Sequence, residues 1–400
     1  MSKFSRPITA LTALAVFWMF ALPKAGFYLA GTPVTFGYFM LAALAALQVL
    51  RMTTRPLRVC GDHLTLGLLL CSLGTIELTT FARYGYDSIG SLASIVVSSL
   101  LMPVLSILAA HWTIERLGLP RLLKVVGYSL LVVAGYGLLS FLVFNTAGVL
   151  VGIPYITTTG GDLSEIMLRH NLRGPVIKMF STYNNGNVLG VNVLLWGPLV
   201  ATSLQTQMAF RTVCLLTLSR SVWVGLLVYE SLTAAISMKI WRWFAGLVLL
   251  GMLIASVYGA SRWMGLDPLA FLTDRQLGGR VQSIQNNLHR GLSSQTNWPS
   301  ESFYASAYLS FGPAGLVLMT LVLLFPIVRG GRSNLAIRGR IAMATYLVVA
   351  SAESAYNLVP TQMSYWFVAA IACHPATCPS VSPNMAVELN RRASGPALAS

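Results

Sequence analysis

The feature that most restricts this chain is the recurrence of apolar runs, each long enough at roughly 20 residues to cross a bilayer as one helix, from the first residues to the last quarter. Lipid offers no partner for exposed backbone groups, so only helices or closed barrels span it. A barrel would show short alternating strands, which are not the pattern here. The expected fold is therefore all-α, a polytopic membrane helix bundle of about 12 transmembrane helices. The spans read as roughly 7–23, 30–50, 62–80, 90–111, 123–144, 186–204, 206–219, 221–238, 243–261, 303–328, 340–355 and 360–374. Charged residues make up only 10% of the chain, against about 25% in a typical soluble domain.

The net charge of +15 is not a nucleic-acid signal, because the basic residues sit in short clusters between apolar runs. Such clusters report topology. With the N-terminus inside, the short inner loops collect Arg51, Arg55, Arg58, Arg116, Arg121, Lys124, Arg329 and Arg332, so both termini are expected to be cytoplasmic. Two longer segments, about 145–185 and 262–302, then become large external loops carrying short surface helices such as 163–170 and 279–290. Residues 1–375 read as one transmembrane domain and 376–400 as a cytoplasmic tail, rich in Pro, Ala and Ser and expected to be disordered. The first run, after Lys3 and Arg6, serves as an uncleaved anchor or as a signal peptide; no convincing cleavage site follows it. Five cysteines (Cys60, Cys71, Cys214, Cys373, Cys378) show no metal-ligand spacing. Cys373 and Cys378 lie in the tail region and are expected to be reduced.

Four stretches carry the polar chemistry. In LLTLSRSVWVGLL (215–227) two apolar runs meet at Ser219-Arg220 without a real loop, as a tight helical hairpin or a broken, partly re-entrant helix. A guanidinium is costly at that depth and marks an interface or an anionic ligand. The expected outer face also collects Arg169, His170, Arg173, Lys178, Arg275, Arg280, His289 and Arg290, with few acids: Asp162, Glu165, Asp267, Asp274, Glu301 and, at the margin, Glu353. Arginine forks match phosphate oxygens; solvated loop charge is the other reading of the loop residues. Glu301, opening the helix in WPSESFYASAYLSFGPAGL, either accepts a proton from a sugar hydroxyl or serves the helix dipole as a first-turn acid. Asn184 and Asn187, with Tyr183 and Asn185, start the sixth span and either hydrogen-bond sugars or cap the helix. Tyr304 belongs to an aromatic belt or stacks on sugar. No Walker motif, HExxH, CxxC or acid pair is present, and no metal or cofactor is expected.

These stretches together, LRGPVIKMFSTYNNGNVLG, LLTLSRSVWVGLL, an external loop carrying GR, and ESFYASAYLSFGPAGL, resemble the bacterial O-antigen ligase and O-antigen or exopolysaccharide polymerase family over about residues 125–325. The resemblance implies a GT-C type, metal-independent glycosyltransferase of the bacterial inner membrane, acting at the periplasmic face on a glycan carried by undecaprenyl diphosphate. It implies that Arg173, Arg220 and Arg280 hold the diphosphate, with Arg220 and Glu301 catalytic and Asn184, Asn187, Tyr304, Arg275 and His289 as weaker glycan contacts. Ligases of the family commonly carry His-Asn where this chain has Glu301-Ser302, which favours a polymerase over a ligase that moves glycan to a lipid A-core. Its partners would be the lipid-linked glycan, membrane lipids and a chain-length regulator or flippase of the same pathway, with no nucleic acid. A lipid-glycan transporter or flippase is the alternative of another class; it would place charges near the midplane.

Overall fold

The computed structural model describes residues 5–29, 32–54, 61–84, 96–163, 165–168, 171–173, 176–237, 302–353 and 355–374, with single positions at 251, 255, 258 and 262. Its helices are α1 (Ser5–Ala21), α2 (Phe36–Thr54), α3 (Gly61–Tyr84), α4 (Met102–Leu117, entered through a π turn, Val97–Leu101), α5 (Leu119–Ala147), α6 (Gly186–Val200), α7 (Leu204–Leu216), α8 (Arg220–Ser237), α9 (Phe303–Arg329), α10 (Asn334–Val349) and α11 (Val359–Cys373). A single turn of helix spans Glu165–Leu168. Eleven of the twelve expected spans coincide with a helix; apart from those single positions, 243–261 and loop 262–301 lie outside the described residues, as does the tail. Among the described residues, five helices are long and apolar enough to cross a membrane: Phe36–Thr54, Leu64–Arg83, Val97–Leu117, Leu119–Ala147 and Phe303–Arg329. The chain is a helical membrane protein on this evidence of length and composition.

Two helix starts and one helix interior differ from expectation for physical reasons. The second helix begins at Phe36 rather than near 30, because Gly26–Leu29 (β1) and Thr32–Thr35 (β2) pair antiparallel, Gly26 opposite Thr35. A Cβ on Gly26 would stand 2.2 Å from the Val34 carbonyl oxygen, so only glycine permits that approach. α10 begins at Asn334 rather than near 340. Ser333 caps it, its Oγ accepting from Ala336 N at 3.2 Å. Arg340 Nε donates to the Ile327 carbonyl at 2.6 Å, so an arginine that reads as a loop residue lies inside the helix and satisfies the last turn of α9. α9 is kinked at Gly312, whose φ of 71° no ordinary side chain adopts readily and which precedes Pro313.

α6 is the centre of the bundle. Val188 through Val200 are buried without interruption, as expected for a helix apolar on all sides. It packs on α5, α7, α8, α10 and α11. Asn192 acts as polar glue. Its Nδ2 donates to Thr361 Oγ1 (2.9 Å), and its Oδ1 accepts from Ser364 Oγ (2.7 Å), both on α11. Small residues set the approach of α8. A Cβ on Gly190 would meet Val222 Cγ2 at 2.4 Å, and one on Gly225 would meet Leu194 Cδ1 and Val349 Cγ2 at 2.6 Å each. Gly190→Leu is therefore expected to force α6 and α8 apart at a cost of about 1–3 kcal/mol. Heat-induced unfolding in detergent should show a lower midpoint than for Gly190→Ala; equal midpoints would contradict this packing.

The connections fall at two ends. At one, Gly26 N donates to the Tyr155 carbonyl, Met179 N to the Leu216 carbonyl and Phe303 N to the Ala350 carbonyl, binding the β1–β2 hairpin, segment 148–185, the α7–α8 turn and the strap 350–358 into one cap. At the other lie the Arg51–Glu115 ion pair (2.6 Å), Gly331 N on the Ala372 carbonyl and the His111–His374 ring contact. Segment 145–185 was expected to be an external loop. Its residues Ile177–Asn184 instead return into the bundle. Ser181 Oγ donates to the Val133 carbonyl (2.8 Å), Thr182 Oγ1 to that of Ala21 (2.6 Å) and Tyr183 OH to that of Phe20 (3.1 Å). Irregular backbone is tolerated there because protein, not lipid, surrounds it.

Candidate functional site

The Ser219-Arg220 junction is a tight helical hairpin. α7 ends at Leu216, Leu218 N donates to the Leu215 carbonyl, and α8 starts at Arg220. Leu218 adopts a left-handed φ of 49°, a conformation that costs a non-glycine residue about 1–2 kcal/mol. Trp223 offsets it by clamping the turn: its N donates to the Ser219 carbonyl and its Nε1 to that of Leu215, both at 3.0 Å. Arg220 is thus the first residue of an 18-residue helix, where its charge adds to the positive end of the helix dipole. It is partly buried.

Beside it lies a buried polar cluster drawn from four parts of the sequence. Ser219 and Ser221 are both buried, with their hydroxyls 3.0 Å apart. Ser221 Oγ donates to Glu353 Oε2 at 3.2 Å. The same oxygen accepts from Asn187 Nδ2 at 3.3 Å, and Asn187 Oδ1 accepts from Lys178 Nζ at 3.1 Å. Lys178 is 2% exposed and Glu353 9%. A carboxamide therefore bridges a buried ammonium and a buried carboxylate, which in turn holds the first turn of α8. Buried ions are stable only with such hydrogen-bonded company.

Asn171 builds the floor. Its Nδ2 donates to the carbonyls of Ile166 (2.7 Å) and Asn184 (2.9 Å), its Oδ1 accepts from Gly186 N (3.1 Å), and its carbonyl accepts from Lys178 N. Asn185 is the N-cap of α6, accepting from Asn187 N (2.9 Å) and Val188 N (3.2 Å). Of the asparagines with two expected roles, Asn185 caps and Asn187 joins the cluster. Asn184 has a left-handed φ of 58°, and its side-chain amide is buried with no hydrogen-bond partner. Tyr304 OH donates to the Leu347 carbonyl at 2.8 Å, so it ties α9 to α10. Ser302, not an acid, is the N-cap of α9, accepting from Ala305 N at 3.4 Å.

Glu301, Arg275, Arg280 and His289 lie outside the described residues. Arg173 is described in its backbone only, in β3 (Leu172–Arg173), paired with β4 (Val176–Ile177), which leads directly into Lys178. Among the expected site residues the structure places Asn187 in one cluster with Ser221, the residue after Arg220, and adds Lys178 and Glu353. Sequence reasoning assigned no role to Asn171 or Ser221; the return of 177–184 into the bundle is what gives Asn171 its place. Among the described residues no three His, Cys, Asp or Glu side chains gather to hold a metal ion. Comparison of the chain with protein-family models, curated proteins and solved structures finds no match.

Proposed function

We propose that this protein is a membrane glycosyltransferase that joins oligosaccharide repeat units carried on undecaprenyl diphosphate into a surface polysaccharide, in a bacterial inner membrane and at its periplasmic face. The observation that carries the reading is Arg220 itself: a guanidinium at the positive end of a helix, at the apex of a hairpin between apolar helices, flanked in the chain by two buried serines of a polar cluster. As the sugar–phosphate bond breaks, the diphosphate gains negative charge. A preorganised guanidinium in a partly dehydrated site stabilises that charge where it develops. In this reading Glu353 is a positioning residue, acting on Arg220 through Ser221, and Glu301 is the base for the attacking hydroxyl. The described basic residues support the orientation. Arg51, Arg116, Arg121, Lys124, Arg329 and Arg332 gather at the end opposite the candidate site, the end that the positive-inside rule assigns to the cytoplasm.

Incubation of the purified protein in lipid with an undecaprenyl-diphosphate-linked oligosaccharide tests the reading. Longer lipid-linked products are expected without ATP or added nucleotide sugar. Glycan appearing on a separate lipid A-core acceptor would make the enzyme a ligase, and unaltered substrate with folded protein would overturn the proposal.

A further inference from the structure

Away from this cluster, α3 carries an acid that the proposed reaction does not use. Glu77 lies inside the apolar span Leu64–Arg83 and is 2% exposed. It stands six residues before Arg83, about 9 Å along the helix axis. Neither carboxylate oxygen has a well-formed hydrogen bond, and among the described residues no lysine or arginine pairs with it. It is therefore neither a helix cap nor half of an ion pair.

Its surroundings supply oxygens rather than charge. The hydroxyl beside it is Ser99, in the π turn Val97–Leu101. Such turns widen a helix and recur at functional sites. The turn is packed closely on α3: a Cβ on Gly74, one turn before Glu77, would stand 2.8 Å from Leu100 Cδ1. Tyr356, in the strap 350–358, interacts electrostatically with Glu77. Its hydroxyl accepts from Trp366 Nε1 at 3.0 Å, which leaves its own proton to donate. The further titratable groups beyond Tyr356 are the phenols Tyr346, Tyr365 and Tyr304, and Glu353.

Intramembrane carboxyls are rare and mark ion or proton pathways when they are kept. One carboxylate balances one positive charge, and two hydroxyls do not make the six-to-eight-oxygen cage that calcium takes. We propose that Glu77 is a binding site for a small monovalent cation, the proton included, within the membrane and beside Ser99 of the π turn, with Tyr356 of the strap in electrostatic contact. The site stands independently of the glycosyltransferase reading. It touches that reading at one point: Glu353 precedes Tyr356 by three residues on the same strap.

Dicyclohexylcarbodiimide, an apolar reagent that modifies protonated carboxyls, tests the proposal on the full chain in lipid nanodiscs, with adducts located by peptide mass. An adduct at Glu77 is expected. Protection by sodium or lithium chloride, but not by choline chloride, would identify an alkali cation; protection by raised pH alone would identify the proton. No adduct at any pH, or an adduct indifferent to both pH and cation, would overturn the site. Glu77→Gln should lose the adduct and keep the thermal midpoint of the wild type. A markedly lower midpoint in that near-isosteric variant would reassign Glu77 to a structural role.

Discussion

Arg220→Ala abolishes chain elongation while the protein remains inserted and expressed: this is the expected result with the largest functional effect. Loss of a single preorganised donor to a developing negative charge costs a reaction about 10²–10³ in rate. Arg220 is expected to reach the upper end, because it combines a full charge with the dipole of α8. The fold should survive the change. Ser219 and Ser221 make the buried contacts of this turn through their own hydroxyls, and Trp223 clamps it through backbone carbonyls. Arg220→Lys keeps the charge but loses the planar fork that fits two phosphate oxygens, so partial activity is expected. The readout is the length distribution of polysaccharide from cells that carry each variant as their only copy. Normal-length polymer from Arg220→Ala would remove Arg220 from the diphosphate site.

Glu353 should show the largest effect that combines stability with function. Glu353→Ala removes the acceptor of both Ser221 Oγ and Asn187 Nδ2, and each buried donor left unpaired costs about 1–3 kcal/mol. The cluster joins the strap, the first turn of α6 and the first turn of α8, so the loss should loosen all three. Glu353→Gln keeps an oxygen for the two donors and should recover most of the thermal midpoint. If Glu353 positions Arg220, the Gln variant should lower the turnover rate with little change in the apparent substrate KM. Combining Glu353→Ala with Asn187→Ala should be less damaging than the sum of the two, because the residues share one hydrogen bond. Strict additivity would mean that the cluster does not act as a unit.

Much of this architecture is legible in the sequence because the relevant signals are local. A run of apolar residues has to become a helix in lipid wherever its neighbours lie, so eleven helices stand where hydropathy places them. The Ser219-Arg220 hairpin is visible for the same reason, since an arginine between two apolar runs is conspicuous without any tertiary information. Segment 177–184 shows the limit of local reading. Lys178, Ser181, Thr182, Tyr183 and Asn184 look like exposed loop residues. They are buried because the segment turns into the bundle, where helix carbonyls at Val133, Ala21 and Phe20, distant in sequence, accept the hydroxyl protons of Ser181, Thr182 and Tyr183. Arg340 is another case: its donor satisfies the end of α9, which its own segment does not reveal.

The sequence by itself determined that this chain is a helical membrane protein, where its helices run, and that Arg220 sits at a costly position between two of them. Only the tertiary structure decided what surrounds that arginine. Glu353 is 132 residues from Ser221 and 166 from Asn187, and no periodicity links such positions. They meet because helix packing through Gly190 and Gly225 fixes where α6, α8 and α10 end. A buried carboxylate then has to find its hydrogen-bond donors among the groups already there. Glu77 follows the same rule: its burial depends on how α3 meets α9 and the π turn, and the sequence shows only an acid in an apolar run.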